Sequence, residues 1–324
     1  MLSRAIRSIP VLALAAATGA WAQAYPTKPI TMIVPFAAGG PTDTVARTIA
    51  AAMQTDLKQT VLVENVGGAG GTIGVARAAR AAPDGYTILL HHIGMSTAPA
   101  LYRKLTFDPL KDFEFVGEVT DVPMTMVARG NFPANNFKEF LAYIKANKSK
   151  VTYANAGLGS ASHLCGLLFF STIETDVTTV PYKGTAPAMN DLLGGQVDFM
   201  CDQTTNTTSQ IKGGKVKAYA VTTPRRVPSL PNIPTMQEEG LKAFDVAVWH
   251  ALYVPKGTPK PVVDKLVGAL QFALKDPTVK QRFADLGTEP VPLEKATPAY
   301  LQKHLAAELA KWKPIIEKAG QYAD

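Results

Sequence analysis

The chain has 324 residues, enough for two domains of ordinary size, and its formal net charge is +7. That charge is spread along the sequence rather than gathered into runs, which excludes a nucleic-acid footprint and leaves a mild attraction for anionic solutes. Two cysteines, Cys165 and Cys201, are too few for a disulfide scaffold; they form one bridge or sit as two small buried residues.

At the N-terminus Arg4 and Arg7 precede an apolar run from Ile9 to Ala17 and the small-residue triplet Ala22-Gln23-Ala24. This is the layout of a cleavable secretory signal over residues 1–24. The run is shorter than the roughly 20 residues a bilayer span needs, and no Cys at the cut offers a lipid anchor. A free chain beginning at Tyr25 is expected, located in the periplasm, with the charge reduced to +5 by loss of the two arginines (+7 less 2).

From there the pattern is strand, glycine-rich turn, helix, repeated. Residues 30–36 (ITMIVPF) read as a fully buried strand, followed by the turn AAGGPTD and a helical face of Val45, Ile49, Ala52 and Met53. Residues 60–65 give a second strand, VGGAGGT opens a helix to about Ala81, and PDGYTILLHH holds a turn and a third strand. The pattern resumes in VTYANAGLGSASHLCGLLFF, TTVPYKGTAPAMNDLL and QVDFMCDQ, and the stretch from Lys260 onward is helical in period. Two extended apolar segments, residues 115–129 and 245–254, are placed to cross between the two α/β units. The predicted fold is therefore α/β with two lobes, each a mostly parallel sheet flanked by helices, joined by two crossing hinge strands. Residues 25–123 plus 247–324 form the first lobe and residues 124–246 the second, inserted lobe. A hinge between lobes implies a cleft that opens and closes.

Ligands of such sheets sit beyond the carboxyl ends of strands, so the turns there are the candidate site. The first, from Ala37 to Asp43, offers Ala38, Gly39, Gly40, Thr42 and Asp43 at a helix start, where unpaired N–H groups and the positive dipole end suit an anion. The second repeats this design in the other lobe with Asn155, Gly157, Gly159, Ser160 and Ser162, behind Tyr153. A third is the polar run from Asp202 and Gln203 to Asn206, read as a loop in which an acidic side chain suits a ligand ammonium. Phe36 is an apolar wall, and of His91 and His92 only one faces the ligand because side chains alternate along a strand; His91 is carried as the candidate. Arg47 lies a full turn into its helix and Lys183 in a separate loop, so backbone N–H groups, rather than a cationic clamp, are expected to hold the carboxylate.

Catalytic readings find no support. In Gly68-Ala69-Gly70-Gly71-Thr72-Ile73-Gly74 an isoleucine stands where a dinucleotide loop needs its last glycine, and no GxSxG elbow occurs. His163 and His250 have no metal-ligand spacing around them, so no metal and no cofactor are expected.

Six stretches occur in order: YPTKPITMIVPFAAGGPTDTVAR, VENVGGAGGTIG, PDGYTILL, YANAGLGSASHL, VPYKGTAPAMNDLLGGQVDFM and YVPKGTP. They resemble the extracytoplasmic solute-binding proteins of tripartite tricarboxylate transporters, the Bug family. The resemblance implies a periplasmic two-lobe binding fold and membrane transporter subunits as partners. It further implies that loops matching Ala37–Asp43 and Tyr153–Ser162 hold a carboxylate through backbone groups and ordered waters. The stretch CDQTTNT from Cys201 to Thr207 is similar to that of the branch binding amino-dicarboxylates such as aspartate.

The function expected is thus capture of a small carboxylate, a dicarboxylate or acidic amino acid, by a monomer serving a tripartite transporter. The alternatives are a sensor whose closed form docks on a two-component kinase and, further off, a secreted hydrolase. Cys165 falls on the helix after the second turn and Cys201 at the end of a strand of the same lobe, so a single disulfide is expected there.

Overall fold

The computed structural model describes residues 25–320 and Tyr322; the predicted leader lies outside the described residues. Strand β1 (Ile30–Val34) is an unbroken apolar run buried on both faces save Thr31, and it pairs in parallel with β2 (Val61–Asn65) and β3 (Thr87–His92). Helix α1 (Pro41–Leu57) connects β1 to β2, with proline at its first position and Val45, Ile49 and Met53 on the buried face. Helices α2 (Thr72–Ala79) and α3 (Gly94–Leu101) precede and follow β3.

The chain then enters β4 (Phe113–Arg129), a strand of 17 residues. After α4 (Phe137–Ala146) the second lobe repeats the unit: β5 (Thr152–Asn155), α5 (Ala161–Ile173), β6 (Thr178–Pro181), α6 (Thr185–Leu193), β7 (Phe199–Gln203), α7 (Thr204–Lys212) and β8 (Val216–Val221). The return strand β9 (Ala247–Pro255) leads to α8 (Lys260–Lys275), α9 (Pro277–Asp285) and α10 (Pro298–Ala319).

The strand order is β2-β1-β3-β9-β4-β7-β5-β6, with β8 also on β4. The outer strands of each lobe are parallel, whereas β9 and β4 run antiparallel to their neighbours, so the sheet is mixed. β4 pairs with β9 from Phe113 to Pro123 and with β7 and β8 from Met124 onward. Pro123 has no N–H to give a ladder, and the change of partner falls directly after it. β9 keeps its pairing to β3 and β4, and the second crossing is made by the chain just before it. There the Thr222 hydroxyl donates to Val246 O at 2.6 Å and accepts the Met124 N–H at 3.0 Å, tying both crossings together.

The polar run after Cys201 is not a surface loop. Asp202 and Gln203 finish β7 and Thr204 opens α7, all buried. Threonine is a poor helix former, but here its hydroxyls find partners: Thr207 bonds Gln203 O, and Thr204 and Thr208 bond Gly287 O and Leu286 O of the first lobe. A disulfide joins Cys165 of α5 to Cys201 of β7, with both residues buried and Cα atoms 6.1 Å apart. Among the described residues no helix is long and apolar enough to cross a membrane.

Candidate ligand site

Four strand-to-helix junctions, β1–α1, β5–α5, β6–α6 and β7–α7, meet at one cavity between the lobes. Its wall is Phe36, Gly40, Pro41, Thr42 and His92 from the first lobe, and Ala156, Ser160, Ala161, Ser162, Thr185, Asp202 and Gln203 from the second. Helices α1, α6 and α7 begin here with no side-chain cap, leaving first-turn N–H groups for whatever occupies the cavity. In α5 the Ser160 hydroxyl caps the His163 N–H and lies 3.1 Å from Ser162 Oγ, which in turn accepts the Ala156 N–H at 2.8 Å.

The same cavity wall carries buried oxygens without a hydrogen-bond partner: Asp202 Oδ1, Gln203 Oε1 and Thr185 Oγ1, the last two at the starts of α7 and α6 themselves. Asp202 Oδ2 is held by Asn206 Nδ2 at 2.6 Å. Burial pushes the Asp202 carboxyl up to about 6, against the pull of the Asn206 amide, the Gln203 N–H and the nearby Thr185 hydroxyl. Thr185 affects that charge from close by, although its hydroxyl forms no well-aligned bond. Thr42 Oγ1 lies 3.3 Å from His250 Nε2, and His92 stacks on Phe36 with ring centroids 4.7 Å apart.

Of the residues expected from sequence, Phe36, Gly40, Thr42, Ser160, Ser162, Asp202 and Gln203 line the cavity, and the others stand behind or beside it. Asp43 faces away: its carboxylate takes Gly39 N–H at 2.9 Å, Arg47 Nε at 2.9 Å and Asn65 Nδ2 at 2.9 Å. Burial favours its protonated form, but these three bonds outweigh that and hold the carboxyl below its usual range. Asp43 therefore shapes the turn, with Ala38 and Gly39, rather than choosing a ligand. His92, not His91, lines the wall; the His91 ring lies beside it, 4.6 Å away between centroids, and packs against Phe36 and Gly71. The Tyr153 hydroxyl donates to Ser162 O from behind α5, and Asn155 Oδ1 accepts the Gly157 N–H.

Gly157 and Gly159 lie where the lobes touch. Gly157 packs on Gly70 of the first lobe, and a Cβ on Gly70 would stand 2.0 Å from Leu158 O. Three hydrogen bonds cross this seam: Tyr102 Oη to Leu158 O at 2.8 Å, Thr97 Oγ1 to Gly159 O at 3.2 Å, and Ala37 N–H to Lys183 O at 3.2 Å. The cavity they close over leaves about 20 Å³, room for about one water molecule, so a solute enters only when the lobes part.

Sequence reasoning missed Thr185 and, of the His91–His92 pair it named, carried His91 rather than His92. The turn Tyr182-Lys183-Gly184-Thr185 has the same strand-turn-helix form as the two nominated turns, and that repetition was the available signal. Among the described residues no group of His, Cys, Asp or Glu is placed to hold a metal ion.

Residues 45–321 match the family described as "Tripartite tricarboxylate transporter family receptor". The chain belongs to that family. The "UPF0065 protein in the TAR-I ttuE-ttuC' intergenic region" of Agrobacterium vitis is 52% identical to this receptor over 92% of this chain and 86% of its own length. The periplasmic binding protein BugD superposes with a TM-score of 0.91 at 56% identity, over 93% of this chain and 100% of that one. MatC from Rhodopseudomonas palustris, solved with bound malate, gives 0.87 at 41% identity over 90% and 100%. The family is one of receptors, and the cavity between β1–α1 and β5–α5 is the candidate solute site of this receptor.

Proposed function

We propose that this receptor captures an acidic amino acid of the aspartate type in the periplasm and delivers it, as a monomer, to the membrane subunits of a tripartite transporter. The observation that carries this reading is that one cavity presents both kinds of group, uncapped helix starts suited to carboxylate and the unpartnered Asp202 Oδ1 and Gln203 Oε1 suited to an ammonium. A buried acceptor left unpaired costs roughly 1–3 kcal/mol, which a ligand N–H or O–H donor recovers. A simple dicarboxylate would bring a second charge of the wrong sign toward Asp202. The malate bound by MatC, with a hydroxyl beside its carboxylate, has the same pairing of groups.

The proposed division of the chain is residues 25–123 plus 247–324 against 124–246, with residues 1–24 removed on secretion. A thermal-shift screen of aspartate, glutamate, malate, succinate and citrate tests the ligand class, since binding to the native state alone raises stability by about 2.7 kcal/mol at a hundredfold excess over Kd. Asp202→Asn is expected to weaken aspartate about tenfold more than succinate. Equal losses for both ligands would remove the ammonium-binding role.

A further inference from the structure

The Thr42 hydroxyl reaches the cavity from the first lobe, and its polarity is set by a residue outside the wall. His250, on β9, is fully buried. Its Nδ1 lies 3.0 Å from Val248 O and its Nε2 lies 3.3 Å from Thr42 Oγ1. A carbonyl oxygen only accepts, so the imidazole proton sits on Nδ1. A neutral ring then presents a lone pair at Nε2, and Thr42 must donate to it. From the geometry we infer that His250 is a positioning residue: it commits the Thr42 proton to β9 and leaves Thr42 facing the cavity with acceptor lone pairs only, so that Thr42 selects a ligand carrying an N–H or O–H donor next to its carboxylate.

Two observations support the neutral ring. Burial lowers the His250 pKa to about 3, and the charged form would in addition face the equally buried His92, whose centroid is 5.6 Å away. Thr42 thereby joins Asp202 and Gln203 as an acceptor, from the opposite lobe, so that closure brings acceptors onto the ligand from two sides. This inference rests on the acidic-amino-acid reading of the cavity.

Long-range ¹⁵N–¹H spectra of the histidine-labelled protein at pH 7, assigned with His250→Phe, report the tautomer directly. A neutral ring protonated at Nδ1 is expected; protonation at Nε2, or an imidazolium, overturns the inference. Calorimetry with aspartate and succinate supplies the second measurement. Thr42→Val should cost aspartate about tenfold more affinity than succinate, while Thr42→Ser keeps the wild-type ratio. His250→Phe releases the Thr42 proton and should move that ratio toward one. A merely structural role for Thr42 would lower both affinities by the same factor, and that result overturns the assignment even if His250→Phe fails to fold. Wild-type protein that holds succinate as tightly as aspartate overturns the amino-acid reading itself. A preference for aspartate that survives Thr42→Val overturns only the role given to His250 and Thr42.

Discussion

Asp202 sits at the end of β7 with one oxygen bonded to Asn206 and the other open to the cavity. Burial raises its pKa to about 6, so an ammonium ligand, which needs the carboxylate, must displace a proton below that pH. Affinity for aspartate should therefore fall by up to tenfold per unit as pH drops below about 6, while affinity for succinate does not follow it. Titration calorimetry at pH 5 and pH 8 checks this, and Asp202→Asn should flatten the difference. At this scale the sequence revealed the chemistry better than the direction of each side chain. Asp43 and Asp202 each stand close to a strand-to-helix junction, yet the neighbours that turn Asp43 away from the cavity, Arg47 and Asn65, come from a helix turn away and from a different strand. Which of His91 and His92 lines the cavity is not set by strand alternation, because at the end of β3 the two rings lie 4.6 Å apart and both pack on Phe36.

Among the elements, β4 carries most of the architecture, and the long apolar segment that encodes it was legible as a crossing strand. The helical nature of residues 204–212 was not, because a threonine-rich run has little intrinsic helix preference and is held by bonds to a segment about 80 residues away in sequence. Also hidden was Glu118, buried within β4 with neither oxygen hydrogen-bonded and Lys295 Nζ 3.8 Å away. Burial, with the neighbouring Asp121 charge and against Lys295, pushes the Glu118 carboxyl up to about 8. The protonated form is the one the fold favours, so its contribution is complete below the ordinary carboxylate range and is lost as pH rises through about 8. Glu118→Gln should stabilise the protein by about 1–3 kcal/mol at pH 9 and change little at pH 4, as read by urea unfolding.

For the whole molecule, two lobes and a hinge followed from the repeated strand-turn-helix units and their two long connections. The seam did not, since it is built from scattered side-chain and backbone donors meeting backbone carbonyls of the other lobe, and only tertiary contact reveals it. Gly70 is its tightest point: its φ of 60° lies in the left-handed region, and any side chain would meet Leu158 O and the Tyr102 hydroxyl. Gly70→Ala should cost about 1 kcal/mol of ligand-free stability. Ligand affinity should fall more than tenfold, and small-angle scattering should show a protein that stays open at saturating ligand. A compact form with unchanged affinity would mean that the seam is not needed for holding the ligand.

The bond between Cys165 and Cys201 joins α5, whose Ser160 and Ser162 hydroxyls line the cavity, to β7, whose last residues leave acceptors unpaired there. Both kinds of contact are thus welded into one rigid jaw, and seven of the twelve wall residues belong to it. Opening takes away only Phe36, Gly40, Pro41, Thr42 and His92. Under the proposed function, a solute arriving at the open protein would meet a nearly complete berth on the second lobe before the first lobe moves. Loading and locking are then separate events, the first set by diffusion and the second by how long the Tyr102, Thr97 and Ala37 bonds persist. Under the proposed delivery to a membrane partner, prying the first lobe away would unlock the berth without dismantling it, and release would be governed by that partner's grip on the lobes rather than by any change in the berth's chemistry.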